Sequence, residues 1–279
     1  FTTDNATWHI TKANNYLPYK AVLWRPENMG VPKNQITGWL YTNRIQFYEL
    51  WKAVKGKRVF VSTSNPDIQV QAFLDEKKLY VALNNLDDAA QQVALDIESI
   101  KSNISDLLVK SLTVYSDNFP RYYEQTINTI PDIFSIDPAE TIVLEFNLKN
   151  TIKFINKIKS SRYYSSNYLL PIVAQKELIF EFNDVQLGVG FSKLCMSIGR
   201  GHDLSKTPKV FVNGEKVEIP LNWKGYDQAN RKKFFGAIEI PIPMDLIKEN
   251  NKVNITFPDS GGHVSSLILD VEKIINPSN

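Results

Sequence analysis

The sequence predicts a mainly β protein: two antiparallel β-sandwich (jelly-roll-like) domains behind a short aromatic lead that ends in a helix. Three observations carry that reading. From Lys57 onward, alternating apolar and polar segments follow one another, with turn residues about every ten positions, the spacing of sandwich strands. A basic stretch rich in serine and tyrosine, residues 151–174, divides the series in two. Ahead of the first strand, Phe47, Leu50, Trp51 and Val54 fall at i, i+3, i+4 and i+7, one apolar stripe on a helical period.

Residues 1–56 hold four of the five tryptophans, together with Pro18, Pro26 and Pro32, one short strand candidate and the helix, placed at 42–55. Lys55 suits the negative end of the helix dipole, and Gly56 can take the left-handed cap. A segment this short cannot close a core by itself. Residues 57–150 form the first sandwich, with strands in "KRVFVS", "IQVQAFLD", "KKLYVALNNLDD", "QQVALDI", "LLVKSLTVYSD" and "TIVLEFNL". Asn84–Asn85 and Asp87–Asp88 mark one of its turns. Residues 151–174 read as a connector, and 175–279 as the second sandwich, from "ELIFEFN" to "SSLILDVEKI". Within it Asn213–Gly214 is a hairpin signal. Pro241 and Pro243 fit an edge strand leading into a helical turn at 244–249.

At 279 residues the chain is long enough for two domains. Its 43% hydrophobic and 22% charged content is that of an ordinary globular protein, and the net charge of +2 is spread along the chain. Such a balance offers no field to draw nucleic acid or anionic lipid. No window of about 18 apolar residues exists to span a membrane. The opening "FTTDNATWHI" lacks a signal peptide's charged start and apolar run, so the chain reads as beginning after processing or inside a larger protein. The single cysteine, Cys195, has no partner for an internal disulfide and reads as a buried small hydrophobe in a strand.

Catalytic chemistry finds little footing. His9, His202 and His263 are scattered, which argues against a metal site and for no cofactor; a structural Ca2+ on loop carboxylates stays open. "GGHVSS" sets His263 near Ser265 and Ser266, but reads as a glycine turn entering the last strand. A glycosidase needs two carboxylates in concert. Asp4, Glu27 and Glu49 are the acidic residues of the first segment, and none pairs with another, so no catalytic residue is assigned. Aromatic residues on loops are the stronger signal, because indole and phenol rings stack on the C–H faces of sugars. Trp8 emerges at a strand end; Trp223 and Tyr226 sit in the loop 222–236 beside Asp227, Gln228 and Arg231. Trp223 could equally plug an interface, and Trp24, Trp39 and Trp51 read as packing residues.

Three long phrases resemble a known family. "YTNRIQFYELWKAVKGKRVFVSTSNPDIQVQAFLDEKKLYVALNNLDD" is similar to the junction of catalytic barrel and sandwich in glycoside hydrolase family 86, the β-agarases and β-porphyranases. "PKVFVNGEKVEIPLNWKGYDQANRKKFFGAIEIPIP" resembles that family's last β domain, and "FTTDNATW…YKAVLWRP" its eighth barrel strand and following loop. The resemblance implies that residues 1–56 are the terminal β/α piece of a (β/α)8 barrel, with the stripe of 42–55 leaning on barrel strands. It places the catalytic glutamates on the fourth and seventh strands, outside this chain. It further implies Trp8 as a subsite wall with His9 beside it, a red-algal galactan (agarose or porphyran) as substrate, and the N-terminal barrel portion as partner. The intact enzyme would be endo-acting and retaining, and secreted, periplasmic or cell-surface in a bacterium. Two other readings stand beside it: a stand-alone carbohydrate-binding module gripping polysaccharide through the 222–236 loop, and a purely structural brace.

Overall fold

The computed structural model describes residue 15 and residues 22–114, 119–153, 157–221, 223, 228 and 231–275. Two compact units divide the chain: Phe1–Arg58 with Gln71–Asn85 and Ala90–Thr151, and Val59–Val70 with Leu86–Ala89 and Ile152–Asn279.

Among the described residues the lead holds a small hairpin, β1 (Trp24–Pro26) against β2 (Trp39–Tyr41), in which the ring centroids of Trp24 and Tyr41 lie 3.8 Å apart. The helix follows at once over Ile45–Trp51, shorter at both ends than its apolar stripe predicted. Gly56, at φ +101°, ends the passage in the left-handed region.

A six-stranded sheet comes next, in the order β3-β4-β5-β10-β7-β8. Its strands are β3 (Lys57–Val59), β4 (Ile68–Asp75), β5 (Lys78–Asn85), β7 (Ile104–Val114), β8 (Pro120–Ile127) and β10 (Thr141–Leu148). Beside it β6 (Gln91–Ala94) pairs with β9 (Ile133–Ile136). Period-two alternation gives the large sheet two faces. Leu79, Val81, Leu83, Leu107, Ile142, Leu144, Phe146 and Leu148 lie on one, all buried. The other presents Ala82, Val143, Leu112 and Tyr122, and against these pack Leu50 and Trp51 of the helix and Val54 just after it. Beyond that apolar patch Glu145 accepts from Lys78 and has the Lys110 ammonium at 3.9 Å, so the buried charges are matched.

Leu50, Trp51 and Val54 of the stripe therefore rest on the chain's own sheet, and among the described residues no barrel strand stands beside them. Leu50 is 1% exposed, whereas Phe47 is 56% exposed. The reason is register along the helix: Leu50, Trp51 and Val54 share the side that meets β5, β7, β8 and β10, and Phe47 falls a turn earlier, beyond the sheet's reach.

The second unit is a two-layer sandwich. One layer has the order β11-β19-β14-β17, with β12 (Leu170–Pro171) also on β19; the other is β13-β18-β15-β16. Their strands are β11 (Lys157–Tyr164), β13 (Glu177–Phe182), β14 (Gly190–Arg200), β15 (Lys209–Val212), β16 (Glu215–Val217), β17 (Phe234–Ile242), β18 (Asn251–Thr256) and β19 (His263–Ile275). Leu194, Met196, Ile198, Phe180, Ile255 and Val271 are among its core residues, each at most 1% exposed. Asn213 (φ 53°) and Gly214 (φ 94°) make the two-residue turn between β15 and β16, where both centres must be left-handed. Pro241 lies on the edge strand β17, which ends in a single 3-10 turn at Met244–Leu246.

Several strands escaped the sequence reading, β8, β9 and β11 among them. Most of β8 and β11 is exposed, and β9 has only four residues. Residues 157–164, read as connector, pair along their whole length with β19. An edge strand needs only backbone pairing, so its side chains show no apolar alternation.

Leu50→Ala should destabilise the first unit by about 2–5 kcal/mol, the range for emptying a packed leucine site. Phe47→Ala should cost well under 1 kcal/mol. Urea unfolding of the two variants checks the difference; equal costs would mean that the helix does not seat on this sheet.

Candidate functional site

The described residues of the loop singled out for its aromatics, 223, 228 and 231–236, lie at one end of the second sandwich. Three elements meet there: the end of β14, the start of β17 and the turn before β19. Alternation along β14 points Arg200 inward, 1% exposed. Its guanidinium donates to Asp259 at 2.9 Å and to the Ser205 carbonyl, and stands 4.8 Å from the Phe257 ring centroid. The second Asp259 oxygen accepts the Ser205 N–H at 2.8 Å. That N–H and, after it, the Arg200 charge hold the Asp259 carboxyl below its ordinary value, against the opposing effect of burial.

Aromatic packing fills the rest. Phe234 is 4% exposed, Trp223 meets it edge to face at 5.4 Å, and the Lys206 ammonium sits 5.2 Å from its centroid. Lys206 also donates to the His202 carbonyl at 2.8 Å, and a His202 ring nitrogen bonds the Arg231 carbonyl at 2.9 Å. Gln228, buried, donates its amide to the Phe235 carbonyl at 2.6 Å and accepts the Phe235 N–H at 3.1 Å. As β17 is an edge strand, Gln228 takes the place of a missing neighbour strand.

Trp223 is thus half-buried against the core, and the polar groups around it are engaged in holding loops together. Trp8, His9, Tyr226 and Asp227 lie outside the described residues. Of the tryptophans read as packing, Trp51 lies on the helix side that meets the sheet, but Trp39 is 37% exposed on β2. Glu49 forms a surface pair with Lys52 at the end of the helix. His263 opens β19 directly after Gly261 and Gly262, both at positive φ, the arrangement expected of "GGHVSS". Among the described residues no group of three or more His, Cys, Asp or Glu is gathered to hold a metal ion.

Cys195 departs from expectation. It lies on the outward positions of β14, not in the core, and is half-buried. Its neighbours form a charge ladder over four strands: Arg162 pairs with Asp270 at 2.8 Å, Lys193 faces Asp270 across the strands, and Lys193 pairs with Glu239 at 2.9 Å. The thiol donates to Asp270 at 3.6 Å. Burial first, then the Asp270 and Glu239 charges, push it up to about 11, which removes thiolate reactivity at neutral pH. No residue-by-residue pattern in the sequence showed the ladder, because its members lie on strands far apart in the chain.

Two family models match the chain: porphyranase beta-sandwich domain 1 over residues 67–170, and beta porphyranase A C-terminal over residues 179–272. Beta-porphyranase A of Phocaeicola plebeius is 48% identical over 98% of this chain and 37% of its own length. The solved structure of a beta-porphyranase of glycoside hydrolase family 86 from the human gut bacterium Bacteroides plebeius superposes with a TM-score of 0.86 at 47% identity, over 97% of this chain and 47% of that one. The chain belongs to the C-terminal β-sandwich region of glycoside hydrolase family 86. The funoran endo-beta-hydrolase of Wenyingzhuangia aestuarii is 38% identical to this family 86 chain over 97% of it and 37% of the relative. Wild-type BuGH86 in complex with neoagarooctaose matches at 33% identity and a TM-score of 0.83, over 98% of this chain and 43% of that one. The family 86 chain thus spans 37% of the length of its first two curated relatives. No helix among the described residues is long and apolar enough to cross a membrane.

Two outcomes follow for this end of the sandwich and its outer face. A carboxyl held below its ordinary value stabilises the fold above its unfolded pKa, and that contribution drains away as pH falls through the folded value. The melting temperature should therefore drop as pH falls below about 4, and Asp259→Asn should flatten that acid slope; an unchanged slope would refute the bridging role. Cys195 should resist iodoacetamide at pH 8 in the native protein and react once unfolded, as mass spectrometry would show.

Proposed function

We propose that this chain is the C-terminal portion of an endo-acting glycoside hydrolase of red-algal galactans, secreted to the periplasm, cell surface or surroundings of a bacterium. The observation that carries the reading is the near-complete match to a beta-porphyranase that is itself covered for only 37% of its length. The catalytic glutamates then belong to a (β/α)8 barrel in the remainder of the enzyme, and the reaction runs with retention through a covalent glycosyl-enzyme. Agarose, porphyran and funoran are the substrate candidates that the relatives' names supply.

The lead of the first unit supports a barrel partner. Trp39, Leu40, Tyr41, Phe47 and Tyr48 are 37–56% exposed along β2 and the helix, a run of large apolar side chains of the kind that marks a covered surface. Trp8 and His9 are the proposed sugar contacts at the barrel end. Trp223 and Tyr226 are those proposed for the loop of the second sandwich, where the packing of Trp223 on Phe234 favours a bracing share in the role.

The test is expression of the chain with and without its upstream reading frame, followed by reducing-end assays on agarose, porphyran and funoran. The long product should cleave one of the three, and the 279-residue chain none. Activity in the chain alone, or none in either product, would overturn the proposal.

A further inference from the structure

The outer face of the β11-β19-β14-β17 sheet has no part in any role described so far, and it is built unlike a covered surface. At the end next to the 222–236 loop, Phe235, Gly199 and His263 stand in one row across β17, β14 and β19. The Phe235 ring leans on the strand where Gly199 has no side chain: a Cβ there would stand 3.2 Å from Cδ2. Gln228 clasps both backbone polar groups of Phe235 on the other side. Those bonds turn the N–H and C=O of Phe235 away from β14, which makes Phe235 and Gly199 a non-hydrogen-bonded pair, the closer of the two antiparallel spacings. A ring held this firmly is nevertheless 59% exposed.

Farther along the same face the side chains shrink to Ala237, Ser197 and Ser266, one row in register. The row with Cys195 adds Tyr164 of β11, 66% exposed. The charge ladder closes this stretch, and beyond it Phe191 stacks on Phe60 at 5.1 Å. Gly199 to Phe191 is eight residues of strand, or ~26 Å.

We propose that this face binds a neutral galactan chain, with Phe235 and Tyr164 as stacking rings and the small-residue row as the floor between them. The inference rests on the galactan reading above and adds a contact on the sheet to those proposed for the loop. Rings anchored at their backbone and open to solvent suit the C–H faces of pyranoses at small entropic cost. The charges of the ladder argue for a neutral ligand. Arg162 and Lys193 are matched by Asp270 and Glu239, and Glu272 adds a third carboxylate on the same face. Such an arrangement presents hydrogen-bonding atoms to hydroxyls while giving sulfate esters no net positive field.

Native gels of the 279-residue chain, cast with agarose or with a sulfated galactan, test this directly. Agarose should retard the chain. Phe235→Ala and Tyr164→Ala should each weaken the retardation about 5–10-fold, Phe235→Tyr should restore most of it, and Ile179→Ala on the opposite layer should leave it unchanged. Circular dichroism melts confirm that the ring variants are folded. The proposal is overturned by no retardation in agarose, by retardation that survives both ring variants, or by binding confined to the sulfated polymer and abolished by salt. Because the gels read binding by this chain and the reducing-end assay reads cleavage by the longer product, failure of one is distinguishable from failure of the other.

Discussion

The ladder of backbone hydrogen bonds between β14 and β19 is the interaction on which the second unit depends. Ten residues of β14 are in register with β19, and nine with β17 on its other side. Once that pairing is set, the period of two decides every side chain's destination. Leu194, Met196, Ile198 and Arg200 go inward, and Phe191, Lys193, Cys195, Ser197 and Gly199 go outward. A slip by one residue would bury Lys193 and expose the core. The anchoring of Arg200 and the exposure of Phe235 are both consequences of one register.

Arg200 shows how such a unit accommodates a charge inside. Removing a guanidinium from water is costly unless its partners are in place. Here Asp259, the Ser205 carbonyl and the Phe257 ring supply them, and the same contacts pin the loop after β14 to the turn before β19. The pinned loop and the paired cation are therefore one arrangement, and Phe234, with Trp223 edge to face against it, stands opposite Arg200 on β17.

Much of this was legible in the residues. "IQVQAFLD" and "TIVLEFNL" became strands with the bounds that alternation suggested, Asn213–Gly214 made its hairpin, and the helix falls inside the span its stripe predicted, with Val54 beyond its end. Of the phrases behind the family resemblance, residues 208–243 and the end of 41–88 fall within the two family models, and 1–26 falls outside both. What escaped were elements whose stability comes from neighbours rather than from their own pattern. The strand β11 is held by β19, more than a hundred positions away, and its basic and serine-rich residues carry no apolar face to announce it.

The sequence by itself determined which segments are extended, where the chain must turn, and that each strand has an apolar and a polar side, because these follow from local periodicity and left-handed turn residues. Only the tertiary structure decided which surface each side meets. It set the helix's stripe on β5, β7, β8 and β10, turned Cys195 outward beside Asp270, and joined Arg162, Asp270, Lys193 and Glu239 into one ladder. The physical reason is that alternation specifies a face but not a partner. Partners are chosen by long-range strand pairing, whose register is a property of the whole sheet.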